Sequence, residues 1–251
     1  MVELDADKRT ERERYNTRAR HSLSAQLQLG SDNISAAFLA PYHAYEAAIS
    51  NHVSKGDAVL ELGAGQGEHS LIILRQGAML TALDISEASL ASLTVAASDY
   101  KAQLKTLIGD MENPDVPEAS LDVVTSAGAI SYADKEQLIH SLGRMLRAGG
   151  LFIAVDSWNH NPIYRFNRWR HYRRGERSKM TLINMPDAKT IRLLKQKFIV
   201  ELRYFGCLSF LTPLLVRFMS EHQINKFMEF SDKLLPGRYL AFKILIIARK
   251  K

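Results

Sequence analysis

The sequence predicts an α/β fold, a doubly wound and mostly parallel sheet, on three observations. Short runs rich in Val, Ile and Leu alternate with segments of helical period from residue 58 to residue 155. Glycines mark the joints: Gly63, Gly65 and Gly67 follow the first run, and Gly149 and Gly150 precede the fifth. Three acids, Glu61, Asp84 and Asp110, close three successive runs. Right-handed crossovers in such a fold bring every strand-to-helix loop to one edge of the sheet, where ligands bind.

Residues 3 to 20 alternate acids and bases among helix formers and read as a solvated helix or loose arm. From Pro41 to His52, Tyr42, Tyr45, Ala48 and Ile49 recur at helical spacing. Residues 1–40 are therefore read as an N-terminal helical arm or lid, and 41–251 as the main domain. Ala58–Leu62, bounded by Gly56-Asp57 and the glycine cluster, reads as a buried strand, and His69 to Arg75 as the helix after it. The alternation continues with strand Met79–Leu83, helix Glu87–Tyr100, strands Lys105–Ile108 and Leu121–Ser126, helix Lys135–Leu146 and strand Leu151–Val155. A basic, aromatic, Asn-rich stretch then runs to about Pro186, followed by a helix to Lys197 and two late strands, Phe198–Phe205 and Tyr239–Ala248. The connection between those strands exceeds ordinary loops, so 206–238 is read as an inserted helical cap.

With 251 residues, 46% hydrophobic and 24% charged, the chain has the balance of one sizeable folded domain, which excludes bulk disorder. The single Cys207 excludes an internal disulfide and reads as a buried apolar residue. The N-terminus is charged rather than apolar, so a cytoplasmic location is expected. The longest apolar stretch, Phe205 to Met219, is broken by Pro213 and Arg217 and is too short for a transmembrane helix. It reads as core of the cap, or as a hydrophobic surface for peripheral membrane contact or a lipid-linked ligand. Positive charge is concentrated: Arg165, Arg168, Arg170, Arg173, Arg174, Arg177 and Lys179 face one acid, Glu176.

The turn after the first strand brings bare backbone and helix N–H groups to a nucleotide-like ligand. A dinucleotide fingerprint starting at Gly63 needs glycine at position 68, where Glu68 stands, and no Lys-Ser/Thr completes a phosphate loop. The acid at Glu61 suits positive charge on the ligand. Asp84 can accept from both hydroxyls of a ribose, and Asp110 from an adenine amino group. Each acid alone could equally cap the following helix; their occurrence at consecutive strand ends favours a site.

Glu61-Leu-Gly-Ala-Gly-Gln-Gly67, Leu83-Asp84-Ile-Ser86, Gly109-Asp110-Met-Glu112, Asp122-Val-Val-Thr-Ser-Ala-Gly128 and Leu146-Arg-Ala-Gly-Gly150 resemble, in order, the motifs of class I S-adenosylmethionine-dependent methyltransferases of the small-molecule branch. The resemblance spans about residues 40 to 156 and implies a seven-stranded sheet whose last strand is antiparallel, in keeping with the two late strands. The implied cofactor is S-adenosylmethionine, leaving S-adenosylhomocysteine, with its ammonium and sulfonium balanced by Glu61. Gly63, Gly65, Gly67, Asp84, Ile85, Asp110 and Met111 would hold it, with Ser126, Ala127 and Gly128 on the methionine side. No metal is expected.

The acceptor is read from Asp156-Ser-Trp-Asn-His-Asn-Pro-Ile-Tyr164, which is similar to a stretch in bacterial methyltransferases of surface-polysaccharide and related biosynthetic clusters. Segment 157–186 is accordingly the acceptor side, with Tyr132, Asn159, Tyr164, Arg165 and Arg168 as substrate-binding candidates. His160 is the candidate base, with Asp156 to orient or replace it; a histidine between two asparagines also fits a hydrogen-bonded loop. The arginine cluster fits a solvated helix face, an anionic acceptor, or a patch for acidic lipid or nucleic acid. The sequence thus points to methylation of an oxygen, secondarily a nitrogen, on an anionic small molecule or a glycan or lipid-linked intermediate. An RNA or protein methyltransferase docking through Arg165–Lys179 and a non-catalytic cofactor-binding subunit are the alternatives. The absence of an Asn/Asp-Pro-Pro-Tyr loop after the fourth strand, and of a Pro-Cys nucleophile, argues against nucleic acid as partner.

Overall fold

The computed structural model describes residues 6–22, 38–174 and 179–251. In chain order the elements are α1 (Ala6–Ser22), α2 (Ala40–His52), β1 (Ala58–Leu62), α3 (Ser70–Arg75), β2 (Met79–Asp84), α4 (Glu87–Ala96), β3 (Leu104–Ile108), β4 (Leu121–Ala127), α5 (Lys135–Met145) and β5 (Leu146–Ser157). They continue with α6 (Pro162–Arg173), α7 (Lys179–Asn184), α8 (Ala188–Lys197), β6 (Phe198–Phe205), α9 (Thr212–Leu215), α10 (Glu221–Leu234), α11 (Gly237–Leu240) and β7 (Lys243–Lys250). The strands form one sheet in the order β3-β2-β1-β4-β5-β7-β6. The pairings from β3 to β5 are parallel, and β7 runs antiparallel to both neighbours.

Burial on both faces explains the apolar strands, since alternate residues must satisfy opposite layers. Leu60, Leu62, Val124, Phe152 and Ile246 pack with α5 and α8, while Val59, Val123, Ile153, Val155 and Leu245 pack with α2, α3 and α4. Side-chain caps set where the helices start: Ser86 Oγ accepts from Ser89 N–H at the start of α4, and Asp134 accepts from Glu136 and Gln137 N–H at the start of α5. The parallel strands β1 to β5 all end on one edge. Because β7 is antiparallel it begins on that edge, with Lys243 opposite Ser157, the last residue of β5.

Three expectations are adjusted. The N-terminal helix is not merely solvated: Glu11 and Ala19 are buried and α1 packs on α4. The remainder of the expected 1–40 arm, residues 1–5 and 23–37, lies outside the described residues. The last strand begins at Lys243 rather than Tyr239, because Gly237–Leu240 closes a short helix whose Ala241 N–H bonds Gly237 O. Between β6 and β7, the apolar stretch from Phe205 divides. Cys207 and Thr212 are buried, Leu215 and Met219 pack on Ile224 and Met228, and Leu214, Val216 and Phe218 face solvent. Among the described residues no helix is long and apolar enough to cross a membrane.

Candidate active site

The strand ends enclose a cavity of about 970 Å³, lined in part by Glu61, Gly63, Gly65, Asp84, Asp110 and Asp156. The glycine turn is forced by geometry. Gly63, Gly65 and Gly67 have φ of +70°, +57° and +98°, in the left-handed region where side chains are strained. A Cβ on Gly63 would lie 2.5 Å from Ala129 Cβ, and one on Gly67 2.5 Å from Leu93 Cδ1; on Gly65 the nearest neighbour is Glu68 Oε2 at 3.4 Å. Gly63 and Gly67 are thus fixed by packing, whereas Gly65 leaves room beside the cavity.

Asp84 locks the turn to β2: its Oδ2 accepts Gly65 N–H at 2.9 Å and its Oδ1 accepts Ser86 N–H at 2.8 Å. Burial raises its pKa above the ordinary carboxylate value, and these backbone bonds oppose the rise. A carboxylate has about four lone-pair sites, so both oxygens keep acceptor capacity toward hydroxyls in the cavity. Glu61 is buried at the end of β1, where Oε2 accepts a hydrogen bond from Ser70 Oγ. Burial pushes its pKa up to about 7, against the Ser70 bond and the nearby His69. Such a carboxyl is poised for a cationic neighbour.

The N-terminal helix closes over the third acid. Lys8 Nζ lies 2.6 Å from Asp110 Oδ2 and 2.7 Å from Glu112 Oε2. Burial works against the ammonium, but the two carboxylates outweigh it and raise the Lys8 pKa. Farther along α1, Asn16 accepts from Ser86 Oγ at 2.7 Å, and the Tyr15 and Tyr132 hydroxyls are 3.1 Å apart.

The methyltransferase-domain family matches residues 59–150, the segment that builds this edge from β1 to the start of β5. The chain is 28% identical over 99 residues to a malonyl-[acyl-carrier protein] O-methyltransferase from Serratia marcescens, covering 39% of this chain and 37% of that one. It is 31% identical over 104 residues to a probable S-adenosylmethionine-dependent methyltransferase from Mycolicibacterium smegmatis, covering 41% and 39%. The match therefore spans well under half the length of these curated relatives. Over nearly the whole chain, the fold is similar to geranyl diphosphate C-methyltransferase from Streptomyces coelicolor, solved with Mg2+, geranyl diphosphate and S-adenosyl-L-homocysteine. There the TM-score is 0.66 at 14% identity, covering 99% of this chain and 100% of that one.

Residues 59–150 form a methyltransferase domain, on the fold of the S-adenosylmethionine-dependent methyltransferases.

On this cavity the structure brings together Glu61, Gly63, Gly65, Asp84, Ile85, Asp110, Met111, Ala127, Tyr132, Asp156 and Arg168 of the residues expected from sequence. Gly67 and Ser126 lie behind the wall: Gly67 faces Leu93, and Ser126 is buried with its Oγ donating to Leu62 O.

The segment after β5 departs most from expectation. His160 is off the cavity wall, stacked on Trp158 at 4.7 Å between ring centroids, and its Nε2 accepts Ala188 N–H at 3.2 Å. Burial lowers its pKa, as do Arg238 and Arg165, against Asp187. Asp156 does not orient it; the Asp156 oxygens accept from Ile130 N–H at 2.9 Å and Ser157 N–H at 2.6 Å. Tyr164 is buried, hydrogen-bonded to Ser209 Oγ and donating to Gly206 O, so it pins α6 to the loop after β6. Asn159 spends its backbone N–H on Pro186 O. Arg165 is exposed, as are Arg170, Arg173 and Arg174, while Arg177 and the Lys179 side chain lie outside the described residues. Only Arg168 of the described cluster reaches the wall, because Asn167, Arg168 and His171 share the cavity face of α6.

Sequence reasoning missed Tyr42, Phe242 and Lys243, which come from the two ends of the main domain and line the same cavity. No local motif marks them; α2 supplies Tyr42, and the antiparallel register of β7 brings Lys243, with Phe242 before it, to this edge.

Proposed function

We propose that this protein transfers the methyl group of S-adenosylmethionine to an oxygen, or secondarily a nitrogen, of an anionic small molecule or a glycan or lipid-linked intermediate. The observation that carries the reading is the row Glu61, Asp84 and Asp110 around the Gly63–Gly65 turn on one cavity wall. A nucleoside bearing positive charge fits such a wall, and a pyrophosphate does not. When bound, the cofactor supplies an electrophilic methyl on its sulfonium. Glu61 faces the cation, Asp84 receives the ribose hydroxyls, Asp110 and Met111 take the adenine, and the Ala127–Gly128 backbone borders the methionine moiety. The chain's remaining task is alignment and removal of the acceptor proton. Asp156 is the candidate base at the cavity, and its buried carboxyl has a raised pKa despite Lys243 and its backbone bonds. Of the 1–40 lid, the described helix α1 borders the cavity, with 157–186 as the acceptor side and 206–238 as a cap on the 41–251 domain. The geranyl diphosphate and malonyl-carrier acceptors named for similar proteins are anionic, which supports that class of acceptor here.

Calorimetry with S-adenosylmethionine and S-adenosylhomocysteine tests the cofactor. Wild type is expected to bind both and Gly65→Arg neither; retained binding in Gly65→Arg overturns the assignment.

The exposed Arg165, Arg170, Arg173 and Arg174 beside the stacked Phe166 and Trp169 favour one second reading, docking of RNA or protein on the outer face of α6. It requires RNA or acidic-protein binding that weakens steeply with salt and is abolished by charge reversal at Arg170, Arg173 and Arg174.

A further inference from the structure

We infer that Lys243 and Arg168, set against the ring of Phe242, form a seat for a phosphoryl group of the acceptor. Lys243 is partly buried on the cavity wall, with its Nζ 5.1 Å from the Tyr42 ring centroid and 5.8 Å from that of Phe242. Among the described residues its ammonium makes no hydrogen bond or ion pair. Aromatic faces offset only part of what an ammonium loses on leaving water, and Asp156 feels its charge without pairing with it, so an anion in the cavity can supply the hydrogen bonds this ammonium does not make.

Arg168 reaches the same ring from α6. Its guanidinium carbon lies 5.6 Å from the Phe242 centroid, and Nη1 donates to Trp158 O at 3.1 Å, which fixes the plane of the fork. Two cationic side chains thus lie against one aromatic ring. A phosphate monoester carries about −1.5 to −2 at neutral pH and presents three acceptor oxygens, so it can engage the ammonium and the guanidinium together. Asp156 is the acid on this part of the wall, but its oxygens are turned to the N–H groups of Ile130 and Ser157 and form no ion pair with Lys243.

The seat is held by the segment that sequence reading assigned to acceptor chemistry. Trp158 N–H donates to Phe242 O at 2.9 Å, Trp158 Nε1 to Arg238 O at 2.8 Å and Asn161 Nδ2 to Leu240 O at 2.7 Å. These bonds clamp residues 238–242 and so fix where Lys243 enters the sheet.

This inference rests on the methyl-transfer reading for the cavity's other ligand, and one titration series separates them. S-adenosylhomocysteine binding is measured first by calorimetry; inorganic phosphate is then titrated into loaded and unloaded protein at constant ionic strength, with malonate in parallel. Phosphate is expected to bind wild type, with affinity about tenfold or more weaker in Lys243→Met, restored in Lys243→Arg and unchanged in Arg173→Ala. S-adenosylhomocysteine should bind all four proteins alike, which also reports that they are folded. Failure of S-adenosylhomocysteine to bind wild type sinks the cofactor reading but leaves the phosphate titration to be read on unloaded protein. The seat is overturned if phosphate does not bind wild type, binds Lys243→Met and Lys243→Arg as it binds wild type, or is outcompeted by malonate.

Discussion

Replacing Glu61 by Gln should make the unliganded protein more stable at alkaline pH and remove most of the pH dependence of cofactor binding. The Glu61 carboxyl sits wholly buried at the end of β1, and burial raises its pKa from the ordinary 4.5 to about 7. A folded pKa above the unfolded one means that the native state holds the proton more tightly. Stability from this group is therefore full below about 4.5 and falls as pH rises through 7. At roughly 1.36 kcal/mol per pH unit, the ionised carboxylate costs the empty protein about 3 kcal/mol at pH 8, which Glu61→Gln relieves. A cation seated beside Glu61 restores an ordinary pKa and expels the proton. Wild-type affinity for S-adenosylmethionine should then rise about tenfold from pH 6 to pH 8 beyond any rise in Glu61→Gln. The ligand's own amine titrates alike in both proteins, so the difference isolates Glu61. Calorimetry at both pH values, in two buffers of different ionisation enthalpy, measures affinity and proton release together. Equal pH slopes in the two proteins, or a Glu61→Gln variant less stable than wild type at pH 8 without ligand, would refute the reasoning.

The glycine turn separates packing from access. Gly67→Ala should cost about 2–4 kcal/mol in denaturant unfolding, from strain at positive φ plus the overlap with Leu93, while Gly65→Ala costs about 1 kcal/mol; equal losses would contradict the geometry. With a competent acceptor, His160→Phe should keep kcat within about threefold while Asp156→Asn loses about 100-fold or more. The reverse order would return the base to His160. Lys8→Ala removes two ion pairs that tie α1 to the β3 edge. Amide exchange across residues 6–22 should accelerate while β1 and β4 stay protected, and unchanged exchange in α1 would show that the ion pairs do not hold it.

The fold was legible because its determinants are local. Ala58–Leu62 is a short apolar run between turn residues, and burial on both faces allows no other period there. The same holds for the position of the expected cofactor residues on the cavity. Asp84 is the last residue of β2 and Asp110 stands two residues after β3, so strand assignment alone carries them to the cavity edge. Errors arose where a local pattern competes with a distant contact. Tyr239 and Leu240 look like the start of a strand, yet Pro236 and Gly237 start a helical turn and delay β7 to Lys243. The charge alternation of α1 reads as solvated, yet Lys8 and Glu11 face inward because α4 and the Asp110 loop lie opposite.

Part of the expected acceptor side lies off the cavity for a more general reason. Asn159, His160 and Tyr164 are polar groups at a strand end, the position where catalytic residues also occur, and composition does not distinguish a side chain that meets substrate from one that satisfies backbone. The hydrogen bonds decide. His160 accepts from Ala188 N–H, Tyr164 donates to Gly206 O, and Asn161 and Trp158 donate to carbonyls at Leu240 and Arg238. Each satisfies a main-chain group at a helix end or in a loop, where the backbone has no partner of its own. Those bonds set the start of β7, and the start of β7 puts Lys243 opposite Ser157 at the cavity. A change at Asn161 or Trp158 should therefore alter acceptor recognition through Lys243 while leaving the cofactor wall, which β1 and β2 build independently, intact.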